Sequence, residues 1–259
     1  MTWLTVFALI VSGVVVGFIN TLAGGGTAIS IAVLMMLGLP ANVANGTNRI
    51  AVIFQNITSV QAFHQKNLLP WRKATLLALP TIVGSIIGAW IAVDINEAVF
   101  RKALAVIMLV MLFFVVVKPS VWLKERKHLT EKPVSVSEAI IFFLIGIYGG
   151  FIQIGVGYYL LAAIVLGSGF ELVKANAIKV WIVLLYTLAA LVVFIYNKQV
   201  HWQFGLIHSI GNIIGAWIAT RLAIKKGVEF VRWVIILIIL VFSADLLGII
   251  SIKGIVQSM

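Results

Sequence analysis

The residues able to do chemistry in this 259-residue chain are few, and they fall into two matching sets. Asn45, Arg49, Asn56 and Ser59 stand at offsets 0, 4, 11 and 14, so a helix would carry them as a stripe on one face, flanked by Thr47, Asn48 and Gln55. Further along, Asn176, Lys179 and Tyr186 share a face in the same way. Ahead of each set lies a glycine-bearing stretch, Asn20-Thr21-Leu22-Ala23-Gly24-Gly25-Gly26-Thr27 and then Gln153-Ile154-Gly155-Val156-Gly157. One cation per set with several neutral donors is equipment for an oxyanion. Arginine offers a planar fork, lysine a point charge, and Asn and Thr neutral hydrogen-bond donors.

Other chemistries lack their residues. There is no cysteine, so disulfides and thiolate metal sites are out. His64, His128, His201 and His208 have no ligand-type spacing. No carboxylate pair, nucleophile elbow or phosphate loop is present. We expect no enzyme, no metal, no cofactor and no nucleic-acid partner. Asp245 is the one carboxylate well inside an apolar run, and it could carry a proton, pair with a buried cation or sit near an interface. His64 and His208 could titrate near neutral pH.

The elements that must position these residues are set by composition. Hydrophobic residues fill 62% of the chain and charged residues 10%, against roughly 25% charged in soluble domains. Such a chain cannot cover itself in water, so its surroundings include a lipid bilayer. In lipid the backbone must pair internally, and long continuous apolar runs without alternation select helices over barrel strands. Long apolar segments run at 3–22, 42–63, 74–93, 98–117, 135–153, 172–196, 203–222 and 230–250. The first reads as a membrane helix rather than a cleaved signal, having no basic leader. Two short segments, 27–39 and 156–167, reach only about 18 Å as helices, less than the ~30 Å hydrocarbon core. Each is expected to be a broken or re-entrant half-helix.

The chain repeats itself across one polar loop. Gly84-Ser-Ile-Ile-Gly-Ala-Trp-Ile-Ala92 returns as Gly211-Asn-Ile-Ile-Gly-Ala-Trp-Ile-Ala219, Gly17-Phe-Ile-Asn20 as Gly150-Phe-Ile-Gln153, and Ala44-Asn45 as Ala175-Asn176. We divide it into a first membrane repeat (1–118), a linker (119–134) and a second membrane repeat (135–259). The net charge of +11 agrees with an excess of Lys and Arg in cytoplasmic loops. Lys66, Arg72 and Lys73 fall on the linker's side, as do Arg221, Lys225 and Lys226, while Asp94 and Glu97 fall opposite. Equivalent loops of opposite charge bias are what inverted repeats produce. Both termini are then outside and the linker cytoplasmic, although Arg101 and Lys102 fit less well. The fold class is an all-α polytopic membrane protein of two inverted repeats, each with long helices and a short half-helix.

In such a design the substrate binds near the midplane, where half-helix N-termini point free N–H groups at an anion. The glycines could permit that loop or merely tight helix packing. Arg49 and Lys179 could make a positive central site, in which case removing either would abolish anion binding. They could equally snorkel to an interface. Trp71, Trp90, Trp202 and Trp217 read as interfacial or packing residues. The small-residue faces Gly84-xxx-Gly88 and Gly211-xxx-Gly215 would suit a homodimer or the packing of the two halves.

The Gly17–Gly26 stretch, the Ala44-Asn-Gly-Thr-Asn48 segment and their partial copies at 150–157 and 175–179 resemble the TauE/SafE family, over nearly the whole chain. The resemblance implies a prokaryotic inner-membrane exporter of sulfite or an organosulfonate, secondary and proton-linked in mechanism. It carries over Asn20, Gly24, Gly25, Gly26, Asn45, Thr47, Gln153, Gly155, Gly157, Asn176 and Lys179 as pocket residues. From the residue pattern we add Thr21, Thr27, Asn48, Arg49 and Tyr186, with Asp245 as coupling candidate. The second glycine loop is reduced, with Tyr158 and Tyr159 directly after it. Alternatives are an anion channel and a cation-coupled transporter of another small solute.

Overall fold

The computed structural model describes residues 2–94, 96, 99 and 127–246, as backbone alone at 127–128, 228–232 and 234–246. The expected helix at 98–117 and the side chain of Asp245 lie outside the described residues. The first half holds α1 (Trp3–Leu22), α2 (Thr27–Met36), α3 (Ala41–His64) and α4 (Trp71–Asp94). After a single turn at Lys127–Thr130, the second half runs through α5 (Val136–Phe151), α6 (Val156–Ala162, continued by a π-turn at Ala163–Gly167), α7 (Leu172–Tyr196) and α8 (Trp202–Leu246). The order is long, short, long, long in both halves. α8 is two helices that meet at Gly227, where φ is 72°, in line with the separate segments expected at 203–222 and 230–250, the second being described as far as Leu246.

Four of the described helices are long and apolar enough to cross a membrane: Trp3–Leu22, Trp71–Asp94, Leu172–Tyr196 and Trp202–Gly227. Their starts are ordinary. The Thr2 hydroxyl accepts from the Thr5 amide at the head of α1, and Ser135 with Glu138 forms a reciprocal capping box at the head of α5. Their outward faces are apolar ridges at helical spacing. Leu79, Val83, Ile87 and Trp90 on α4 are exposed, and so are the aligned Leu206, Ile210, Ile214 and Trp217 on α8. Large apolar side chains turned out of the bundle belong in lipid.

Packing crosses between the halves. α1 lies on α8 and α5 on α4, while α3 packs on α8, α7 packs on α4, and α3 meets α7. Exchanging the two halves leaves this list of pairs unchanged. The closest approaches are made where glycine removes the side chain. A Cβ on Gly88 of α4 would sit 1.9 Å from the Ile147 carbonyl of α5, and one on Gly215 of α8 would sit 2.0 Å from the Val14 carbonyl of α1. Both small-residue faces are therefore used inside the chain, which removes them as the argument for a homodimer.

Gly88→Leu should force α4 off α5 and cost about 1–3 kcal/mol, as overpacking does. A thermal melt in detergent will fall accordingly, by about 2–4 °C per kcal/mol. Gly167→Leu, where a Cβ meets nothing within 4 Å, serves as the control and should melt with the wild type.

Candidate functional site

Helices α1 and α5 both end inside the molecule, and an ended helix leaves its last four carbonyls without partners. In α5 the Asn45 amide donates to the Phe151 carbonyl at 2.8 Å. The Arg49 guanidinium donates to the carbonyls of Gly149, at 3.3 Å, and Gly150. Both side chains come from α3 of the other half. At the end of α1 the Lys179 ammonium, from α7, donates to the carbonyls of Asn20 at 3.1 Å and Thr21 at 2.8 Å. Ile19 O takes the amides of Ala23 and Gly24. Each broken helix is thus closed at its negative end by a cation from the opposite half, where the helix dipole favours positive charge.

The two breaks meet. Gly24 (φ 93°) and Gly157 are in backbone contact, such that a Cβ on Gly24 would lie 2.3 Å from the Gly157 Cα. Loop and tight packing are here the same feature. Around this crossing lies a small, partly open cavity, lined by Asn20, Gly24, Thr27, Val52, Gln55 and Asn56 from the first half and Gln153, Val156, Gly157, Lys179, Val183 and Tyr186 from the second. Aligned positions face one another across it: Asn20 with Gln153, Gly24 with Gly157, Val52 with Val183, and Gln55 with Tyr186.

Its polar lining is held in place by bonds behind it. Asn20 accepts from the Thr27 amide at 3.1 Å, capping α2, and donates to the Thr27 hydroxyl and, at 3.5 Å, to Gln55. Gln153 has φ 66°, a left-handed backbone that is costly for a non-glycine residue. Its amide nitrogen is fixed by donation to Thr187 at 2.7 Å and to the Tyr186 hydroxyl at 3.3 Å. Its Oε1 is buried without a partner. Among the described residues no carboxylate lines the cavity, and Lys179 is its one cation.

Of the residues expected at a site, the cavity collects Asn20, Gly24, Thr27, Gln153, Gly157, Lys179 and Tyr186, and adds Asn56 from the polar stripe and Gln55 from its flank. Arg49 is 0% exposed, so it does not snorkel, and it lies at the α5 end with its guanidinium 4.6 Å from the Phe194 ring rather than at the cavity. Thr21 bonds Ser59, and Thr47 accepts from the His201 amide where α8 begins. Gly25 lies against Tyr158, Gly26 and Gly155 precede α2 and α6, and Asn45 holds Phe151 O. Asn48 and Asn176 are fully buried outside the cavity lining, with all their amide atoms unpartnered.

These features define a polytopic helical membrane protein with a polar-lined cavity between its halves. The chain matches the family described as "Sulfite exporter TauE/SafE" over residues 9–246, and it belongs to that family. A "Probable membrane transporter protein" of Haemophilus influenzae is 26% identical over 234 residues, covering 90% of this chain and 91% of that protein. The Escherichia coli K12 protein YfcA, of the same description, is 28% identical over 233 residues, covering 89% and 85%. YunE of Bacillus subtilis, again so described, is 24% identical over 258 residues, covering 89% and 94%. No solved structure matches the chain. It is a membrane transporter.

The capping geometry separates the two cations. Removing Arg49 strands two buried carbonyls, at about 1–3 kcal/mol for each group left unsatisfied. Arg49→Ala should therefore be poorly folded in detergent whether or not ligand is present, and Arg49→Lys should recover part of the loss. A well-folded Arg49→Ala protein would remove the clamp from this account.

Proposed function

We propose that this chain is a secondary transporter exporting a small oxyanion, such as sulfite or an organosulfonate, across the prokaryotic plasma membrane. The observation that carries the reading is the cavity lining: one ammonium, four neutral amide side chains and the Thr27 and Tyr186 hydroxyls, with no carboxylate among the described residues. An anion there meets the Lys179 N–H that the Asn20 and Thr21 carbonyls leave free, and the donors of Asn56 and Tyr186. A carboxylate-free lining repels no anion, and a single charge lets the ligand go again. A dense arginine cluster would hold it.

The two halves, 1–118 and 135–259, act in this reading as inverted repeats about the Gly24–Gly157 crossing. The substrate lies near the midplane and the 119–134 linker lies in the cytoplasm, with both termini outside. Support comes from the packing list that survives exchange of the halves. It also comes from buried amides that have no partner, at Asn45 Oδ1, Asn48, Gln153 Oε1 and Asn176. Such groups cost about 1–3 kcal/mol each, and a second state in which they meet water or ligand accounts for their retention.

Thermal stabilisation of the purified protein by sulfite, sulfonates, sulfate, carboxylates and cations tests the reading. Ligand at 100 times its Kd stabilises by about 2.7 kcal/mol. We expect a shift with sulfite or a sulfonate that Lys179→Arg weakens and Lys179→Met abolishes. A response to cations alone overturns the anion reading. Saturable exchange in proteoliposomes separates a transporter from an anion channel, whose flux stays linear in concentration.

A further inference from the structure

His208 of α8 is fully buried and holds three helices together. Its Nδ1 lies 2.8 Å from the Leu9 carbonyl of α1, and its Nε2 lies 2.6 Å from the Ser30 hydroxyl of α2. A carbonyl only accepts, so Nδ1 carries the hydrogen, and in the neutral ring Nε2 receives the Ser30 O–H. The other half shows what this crossing needs. There the aligned residue is Thr81, and the helices come equally close, Gly146 against the Thr81 carbonyl as Gly13 is against the His208 carbonyl. The Thr81 hydroxyl only bonds back to Leu77 of its own helix, at 2.9 Å. The position aligned with Ser30 is Ala163. Close packing thus forms without either residue, and the His–Ser pair occurs in one half alone.

We propose that His208 is the proton-binding site that couples anion binding to protons, an inference that rests on the transporter reading above. The proton adds to Nε2, whose lone pair becomes an N–H. Ser30 must then turn from donor to acceptor, and its hydrogen goes to the Gly26 carbonyl four residues back, the ordinary back-bond of a helical serine. That carbonyl now accepts the amides of Ile29 and Ser30. Gly26 belongs to the break, and Thr27, about 4.5 Å along α2 from Ser30, lines the cavity. Loading the proton therefore acts on the turn of α2 that Asn20 caps, the turn whose Thr27 lines the cavity.

Among the described residues, the other charged and titratable groups of the helices packed against it are held by partners of their own or lie away from it. α1 and α2 carry none. From α3, Arg49 is directed at the α5 end and His64 accepts from the Trp71 indole. From α7, Lys179 is bonded to the α1 end, Tyr186 faces the cavity, and Lys174 and Tyr196 lie at the two ends of the helix. On α8 itself His201 caps the first turn, while Arg221, Lys225 and Lys226 lie more than three turns beyond His208.

The test uses methanesulfonate and sulfite with full-length protein, since the sulfonate keeps its charge between about pH 6 and about pH 8, around the histidine range. Wild-type affinity for methanesulfonate should rise at least about fivefold as pH falls across that interval. His208→Gln should still exchange the anion in proteoliposomes but lose this dependence and the acceleration by a pH gradient. Ser30→Ala, which leaves the histidine and removes the acceptor of its charged form, should move the response to lower pH. A gradient response in His208→Gln equal to wild type overturns the proposal, as does a wild-type affinity that ignores pH. If no anion binds the wild type, the transport reading fails by itself. The imidazole nitrogen spectrum then decides on His208: a ring neutral throughout the interval overturns the proposal, and one that titrates upholds the proton site.

Discussion

A helix that stops inside a bilayer protein must find partners for its last carbonyls, because lipid offers none. Everything around the cavity follows from how this chain meets that demand at α1 and α5. The partners are side chains of Asn45, Arg49 and Lys179, each reaching from one half to the helix end of the other. Charged hydrogen bonds of this kind contribute about 1.5–3 kcal/mol each, and an unpaired buried cation costs several. Neither half can close its own break. The crossed packing of α1 on α8 and α5 on α4 and the glycine faces that allow it bring each cation to its carbonyls.

Exchange of the halves preserves the backbone plan and not the chemistry. Arg49 and Lys179 do the same work one helical step apart, and that step decides which of them meets the cavity. The Arg49 fork covers the α5 end and stacks on Phe194, whereas the Lys179 ammonium reaches the α1 end beside the cavity. The second break also has Tyr158 and Tyr159 where the first has Gly25 and Gly26, and it holds Gln153 in a left-handed conformation, fixed by Thr187 and Tyr186.

The helices were legible because in lipid hydropathy alone defines them. The expected spans 3–22 and 172–196 coincide with α1 and α7, and 42–63 and 135–153 lie within two residues of α3 and α5. The short segments were legible as short for the same reason. What the pattern could not say was where a polar stripe points. Offsets put Asn45 and Arg49 on one helical face, but whether that face meets a cavity or another helix's end is a tertiary fact. Gln55 was visible as a flanking amide, and aligning it with Tyr186 was the available signal for a second lining pair. The Gly88 and Gly215 faces could be read as close-packing surfaces, yet only the fold shows that their partner is the same chain. Nothing in the sequence brought Ser30 to His208.

The position of Lys179 joins the break to the ligand. Its ammonium spends two of three donors on the Asn20 and Thr21 carbonyls, and Asn20 in turn holds the first turn of α2 through Thr27. An anion drawn to the same ammonium competes for its charge with those carbonyls. Under the proposed transport cycle, binding therefore weakens the closure of α1 at the moment it neutralises the cation, and release restores it. A ligand shifts a conformational equilibrium only by the difference in its contacts between two states. Here the difference has a location: the bonds between one lysine and the end of one helix.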